Sequence, residues 1–482
     1  MLYCYCNMIT DSFVMTGESG MEWGMEESMK RKLLSVVLAT AMLTTVLAGC
    51  GGGSGDAGTT PSSSSDSGAS SGSDSGASSG GVEEITWMFW DDLNATEDLI
   101  SLGYKDVLDR FNADYAGQYH VTAVTTNLEE YYPKLNALVA ANETPDVFIV
   151  SPGANLTDYV TPGVAADLTS ILKDENPDWY ASFSGGVFDK QTYDGKIYAV
   201  PTNMAAACVF YNTEIFEEVG VAVPTTYDEL LDVCSKIQAA GYDPISISAG
   251  TAWCLSMLAG YLCDREGGPD NLDKINNGTG NWLDPSFIAA GEKMVELSQY
   301  FQKTAAGDTN DVATAAFYNG EAAMLIQGSW VIGQINGANP EFEDKCGVFQ
   351  FPGIPGGADP NRIIAKTDSL AMSSKTEHKD ACVALIKYFT DDTAQKYTAE
   401  VGGKIPITSV DVDYDKAPAQ LKYVMDILSS TSGTLGFYNE SFATSEAGAE
   451  FDNQMVSIYL GDQTVEEGFQ KVQNFFEEEV WK

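Results

Sequence analysis

From residue 85 to 150 the chain alternates short β-rich runs with amphipathic helical stretches. That alternation limits the fold more than any other feature. Residues 85–90 form a β-rich run followed by Asp91-Asp92-Leu93-Asn94. Residues 104–115 carry a helical pattern and 120–124 a second strand. Residues 131–142 read as a helix with Leu135, Leu138 and Val139 as its apolar positions, and 145–150 as a buried strand. Strand, helix, strand, helix, strand predicts a parallel sheet with helical crossovers. The pattern restarts after residue 200. Thr226 and Glu229 make a capping box after Pro224 and open a helix to about Ala239. A turn at 241–244 leads to a strand over 245–248. Asp284-Pro285 starts another helix, with Asp as cap and Pro in the first turn. Residues 370–373 and 378–389 give strand and helix again, and the C-terminal stretch is helical in pattern. The fold class is α/β, in two units rather than one sheet or a repeat array.

The N-terminal part sets where such a body works. Met29-Lys30-Arg31-Lys32 precedes an apolar segment, 33–47, that ends in Leu47-Ala48-Gly49-Cys50. A basic start, a short apolar core and small residues before a cut make an export signal; the segment is short for a bilayer span. A Cys directly after Leu-Ala-Gly resembles the bacterial lipobox, whose Cys is lipidated and becomes the new N-terminus. Residues 29–49 are therefore expected to be a lipoprotein signal peptide. Cys50 is the expected lipidation site, holding the chain to the extracellular face of the cell membrane through acyl chains. Residues 1–28 contain Cys4, Cys6 and several acidic side chains, which do not suit a signal, and read as an upstream leader with Met29 as the start. Residues 50–81 join the lipidated Cys to a Gly/Ser-rich flexible linker, in which Ser-Asp-Ser-Gly-Ala-Ser-Ser-Gly occurs at 65–72 and again at 73–80.

What remains is too long for one ordinary core and predicts two domains. The formal net charge of −43 argues against nucleic acid and against a grip on anionic lipid. Only four Arg occur, few for a pocket that holds a multiply charged anion. Six Cys follow the linker: Cys208, Cys234, Cys254, Cys263, Cys346 and Cys382, with no Cys-x-x-Cys. Mostly free, buried thiols are expected, with Cys254 and Cys263 as the one pair to check. The chain's His are His120 and His378, and neither has metal-ligand spacing. No nucleophile elbow or phosphate loop occurs in the body. The chain is expected not to be an enzyme, and to need no metal or cofactor.

Asp194-Gly195-Lys196-Ile197-Tyr198-Ala199-Val200-Pro201, then Val209-Phe210-Tyr211-Asn212, then Pro224-Thr225-Thr226-Tyr227-Asp228-Glu229-Leu230 resemble the extracellular solute-binding proteins of ABC importers, family 1. The carbohydrate branch, which includes maltose-binding protein, matches best, in its lipoprotein form. Tyr132-x-Lys134-Leu135 leading to Pro145-Asp146-Val147 extends the match. So do Phe317-Tyr318-Asn319-Gly320-Glu321-Ala322-Ala323-Met324 leading to Gly328-Ser329-Trp330, and residues 349–355. The resemblance covers nearly all of 82–482. It implies a two-lobed periplasmic-binding-protein-like (type II) fold with three interlobe crossovers, near 201–206, 362–366 and 407–411. Lobe 1 is expected over 82–203 and 363–408, lobe 2 over 204–362 and 409–482, with Pro201 ending a strand where the chain leaves lobe 1. It also implies a monomer that captures a sugar or oligosaccharide in the cleft between lobes and delivers it to the transmembrane permease subunits of an importer.

A sugar presents an apolar face and a rim of hydroxyls, so its site needs flat aromatics beside carboxylates and amides. Trp330 leads the candidates, because its Gly-x-Trp position matches an aromatic that stacks on sugar in relatives; the competing reading is a core Trp. Trp90, Asp91, Asp92 and Asn94 follow the first strand, where relatives place polar contacts, or form a solvated capping loop. Ser151 and Asn155, with Gly153, follow the strand that ends at Val150. Asn203, with Thr202 and Met204, follows Pro201. Trp253, Phe437 and Tyr438 are further stacking candidates, and Asp368 can point into the cleft. A relative's acidic contact falls on Ala205, so the ligand need not be a maltodextrin. Two alternatives stay open: a cationic solute such as a polyamine, held by Asp91, Asp92 and Asp368, and an extracellular glycoside hydrolase built on paired carboxylates.

Overall fold

The computed structural model describes residues 81–95 and 98–482. The expectations for the leader, the signal peptide, Cys50 and the linker up to residue 80 lie outside these residues. The described chain opens with β1 (Glu83–Phe89), α1 (Leu99–Asp114), β2 (Tyr119–Thr125), α2 (Leu128–Ala140), β3 (Val147–Val150) and α3 (Ala154–Val160). In α1, Ile100, Tyr104, Val107 and Phe111 are buried at helical spacing, and the Asp98 carboxylate caps the helix by accepting from the Ile100 N–H. Each such side chain contributes roughly 1.5–3 kcal/mol by leaving water. A small hairpin, Thr192–Tyr193 with Lys196–Ile197, turns at Asp194 and Gly195, both at positive φ.

The second half continues with β4 (Ala199–Asn212), α4 (Tyr227–Ala240), β5 (Asp243–Ser246), α5 (Ala252–Gly267), α6 (Pro285–Ser298), α7 (Asn310–Tyr318), β6 (Ala322–Gly328), α8 (Val331–Ala338) and β7 (Cys346–Phe349). Then come β8 (Arg362–Met372), α9 (Lys379–Phe389), α10 (Asp392–Glu400), α11 (Ala419–Ser430), β9 (Gly433–Leu435), α12 (Ser445–Leu460) and α13 (Val465–Phe475). The capping box at Thr226 and Glu229 is formed at the start of α4. Asp284 caps α6 through the Ser286 N–H, with Pro285 in the first turn.

The strands join in the order β2-β1-β3-β8-β4-β6-β5, with β9 on β8 and β7 on β4. β1 is parallel to β2 and β3, and β5 is parallel to β6, as helical crossovers require. β4 and β8 are antiparallel and belong to both halves. The start of β4 pairs with the end of β8, while Ala207–Tyr211 pair with β6. Pro201 does not end a strand: β4 runs on through it to Asn212. The register shifts between Asp368 and Ser369, opposite Asn203 and Pro201, so the Pro sits at a bulge where its missing N–H disrupts no regular ladder.

Two lobes follow from two sets of cores. Trp87, Phe89, Phe111, Tyr131, Phe148 and Leu385 pack in the first. Tyr227, Ile237, Leu258, Trp282 and Phe469 fill one face of the second, and Phe210, Leu325, Ile335 and Val424 the other. The third crossover is sharp. Ile405 bridges Met204 and packs in lobe 2, while Ile407 packs in lobe 1 and its carbonyl accepts from the Ser184 N–H at 2.8 Å. All six cysteines of the described residues are buried and free, Cys254 and Cys263 included.

Candidate ligand-binding cleft

Between the lobes lies a cleft of about 1220 Å³. The loop after β1 and the N-termini of α2 and α3 bring lobe 1 side chains to it. The starts of α5, α7 and α8, the tail loop after β9 and the face of α12 bring those of lobe 2. This is the carboxyl edge of the β1 and β3 strands, where open α/β sheets place their sites.

Nine of the candidate residues line the cleft: Trp90, Asp91, Asp92, Ser151, Asn155, Trp253, Trp330, Asp368 and Phe437. Trp253, Trp330 and Phe437 form one aromatic wall. Trp330 and Phe437 are 6.1 Å apart at 30°, and Trp253 meets them edge-on at 5.8 and 6.2 Å. Trp330 stands just past β6, at the start of α8, and its ring covers Gly328 so closely that a Cβ there would come within 2.1 Å. It also packs against both lobe 2 cores, so the core reading and the cleft reading each describe part of it.

The other three candidates lie elsewhere. Asn94 folds back in a turn on Asp92, donating from its N–H at 2.9 Å and from Nδ2 at 3.1 Å. Asn203 is 1% exposed and donates to the Tyr104 hydroxyl at 2.7 Å, behind the cleft wall. Tyr438 follows Phe437, and both pack in one lobe 2 core, but only Phe437 also lines the cleft. The Tyr438 ring leaves only 3.2 Å for a Cβ at Gly260.

Several lining residues had not been singled out. Lys404 contacts Asp368 at 3.1 Å, and Lys366 contacts Glu440 at 3.2 Å, Asp368 at 3.6 Å and the Ser151 hydroxyl at 3.0 Å. Burial alone would raise the Asp368 carboxyl, but the Lys404 and Lys366 charges outweigh it and hold its pKa below the usual value. Lys404 is raised in turn, because Asp368 overcomes the burial that opposes its charge. Lys366 and Asp368 share a strand face at a spacing of two, a signal that was present in the sequence. Asp91 is pushed well above the usual carboxylate value, first by burial and then by Asp98. Asp452 is pushed up to about 7 by burial, which outweighs the lowering by the Ser256 hydroxyl and by Asn439, whose amide donates to Oδ2 at 3.0 Å. Trp253 Nε1, Thr314 Oγ1, Gln334 Oε1 and Asn439 Oδ1 are buried cleft atoms without a hydrogen-bond partner. Core atoms away from the cleft, such as Trp87 Nε1 and Trp282 Nε1, share this state, so these groups count only together with the aromatic wall beside them.

The lobes touch around this space. The Ala154 N–H donates to the Glu440 carbonyl at 2.9 Å, Ser445 meets Asp158 at 2.5 Å, and the Thr251 hydroxyl donates to Glu129 at 3.3 Å. An aromatic wall, unpartnered polar groups and a seam between two lobes can enclose a small polar molecule with one flat apolar face.

The multiple sugar-binding protein of Streptococcus mutans is 30% identical to this chain over 339 residues, which are 64% of this chain and 77% of that protein. A probable sugar-binding periplasmic protein of Mesorhizobium japonicum is 25% identical over 341 residues, 68% of this chain and 78% of its own. A structure solved in work on xylan utilization by Caldanaerobius polysaccharolyticus superposes with a TM-score of 0.76 at 24% identity. It covers 81% of this chain and 99% of its own, and shares the fold. The family model for bacterial extracellular solute-binding proteins matches residues 97–396. The chain belongs to that family.

Proposed function

We propose that the protein captures a sugar or oligosaccharide in the interlobe cleft and hands it, unchanged, to the permease subunits of an ABC importer. The aromatic wall of Trp253, Trp330 and Phe437 beside unpartnered buried polar groups carries this reading. The names of the Streptococcus and Mesorhizobium relatives support it. Trp90, Asp91, Asp92, Ser151, Asn155 and Asp368 are the further ligand contacts. Lobe 1 comprises 82–203 and 363–408, and lobe 2 comprises 204–362 and 409–482, with Ile363, Ile364 and Ile405 at the crossovers reaching into the lobe 2 cores. The protein works as a monomer on the outer face of the membrane, tethered through Cys50. A fatty-acid probe should label the wild-type chain and not Cys50→Ala; labelling of both would remove the anchor from this account.

A thermal-shift screen of neutral mono- and oligosaccharides against polyamines tests the central claim. A sugar should raise the melting temperature, saturate in calorimetry and be recovered intact. A response to polyamines alone, or recovery of a cleaved sugar, would overturn it.

A further inference from the structure

The charge of the cleft is uneven. Nine of its described lining residues are Asp or Glu and two are Lys. Both lysines are engaged, by Asp368 and by Glu440, which leaves seven carboxylates with no ion pair among the described residues. The chain is acidic throughout, and most of its carboxylates are solvated, so sign alone means little. Some of the seven also have local work: Asp98 caps α1, and Asp158 takes the Ser445 hydroxyl. Asp91 and Asp311 differ. They come from opposite lobes, and neither carboxylate has a hydrogen bond to a described residue. Each is held above the usual carboxylate value by burial, Asp91 next by Asp98 and Asp311 next by Glu129. Asp311, which lines the same cleft, adds a smaller push to Asp91. Lys404 offsets Asp91 in part, but it is already paired with Asp368, and no cation among the described residues offsets Asp311.

A second observation meets the first at the same place. Thr314 lies three residues after Asp311 on α7, and therefore on the same helix face. It is 2% exposed, it lines the cleft, and its hydroxyl has no partner. An ammonium group has three donors and no acceptor, which suits two carboxylates and a hydroxyl. A neutral hydroxyl supplies no counter-charge, and a uronate would be repelled.

We propose that the sugar taken by this cleft is an amino sugar, whose protonated amine sits between Asp91 and Asp311 and donates to Thr314 Oγ1. The inference rests on the sugar reading above and narrows it.

Three trimers of one β-1,4 backbone test it: cellotriose, the N-acetylglucosamine trimer and the glucosamine trimer, which differ at C2 as hydroxyl, acetamide and ammonium. Calorimetry at pH 6.5 should show the glucosamine trimer binding at least about tenfold tighter than the other two. That preference should shrink as salt rises, because the charge contact is screened. Asp91→Asn and Asp311→Asn should each narrow the ratio between trimers measured on the same folded variant. Equal affinities, or tighter binding of a neutral trimer, would overturn the amine site and leave the sugar reading standing. No response to any of the three would overturn the amine site, and only silence from the wider sugar screen as well would overturn both.

Discussion

Trp330 is half platform and half filler. Its ring rests on Gly328 and against Phe437, with one side toward the cleft. Removing a central aromatic anchor costs about 2 kcal/mol, or about thirtyfold in affinity. Trp330→Ala is therefore expected to weaken ligand binding by at least about tenfold, and Trp330→Phe by less, in calorimetry on the purified protein. Because only part of the ring packs in core, its melting temperature should fall less than for a buried Trp such as Trp282. A variant that melts far lower yet binds normally would make the residue a core Trp. Asp452 gives a test in pH. An unfolded Asp titrates near about 4, whereas burial holds this one at about 7. Between those values the folded state keeps a proton that the unfolded state gives up. Its contribution is thus favourable below about pH 4 and is lost as pH rises toward 7. Asp452→Asn should lose that slope and become more stable than wild type at pH 8, by roughly 1–3 kcal/mol. A stability difference that stays flat from pH 5 to pH 8 would refute the assignment.

At the scale of elements, the seam between α3 and the tail loop before α12 is the most constrained contact. Gly153 holds φ 85°, and a Cβ there would stand 2.2 Å from the Glu440 carbonyl that receives the Ala154 N–H. Gly153→Ala should cost about 1 kcal/mol of stability through its backbone alone. It should also keep the lobes from meeting, so calorimetry should show ligand affinity at least about tenfold weaker. Unchanged affinity would mean that the seam plays no part in holding ligand. The elements themselves were largely legible, because their signals are local. The box at Thr226 and Glu229, the cap at Asp284 and the apolar run before Ser151 each depend on neighbours in sequence. Trp90, Asp91 and Ser151 could be placed at the cleft because a strand's carboxyl end is readable. Phe437 and Tyr438 could not be told apart without knowing which of the two reaches the cleft. Lys404, Asp311 and Thr314 were missed because what surrounds them, such as Asp368 beside Lys404 and Glu129 acting on Asp311, is distant in sequence, and no local window contains it. Pro201 misled for the opposite reason: a local rule for ending strands gave way to a bulge set by β8.

At the scale of the molecule, two lobes are joined by β4, β8 and the short segment around Ile405, without a large interface core of their own. Lobes connected this way can swing about those strands. Scattering should show a smaller radius of gyration when the ligand found by the screen is added at saturation to the full chain. No change at saturation would argue against closure. The order of strands has a further consequence, for how such a chain comes to be folded at all. β3 lies between β1 and β8, yet β8 is made only after the whole middle portion of lobe 2. Until Arg362–Met372 emerges, the first lobe has an open edge along β3 and cannot complete its sheet. Pairings so distant in sequence form slowly. A chain wired in this way cannot close its first lobe early: its final shape waits for a strand made after most of the molecule.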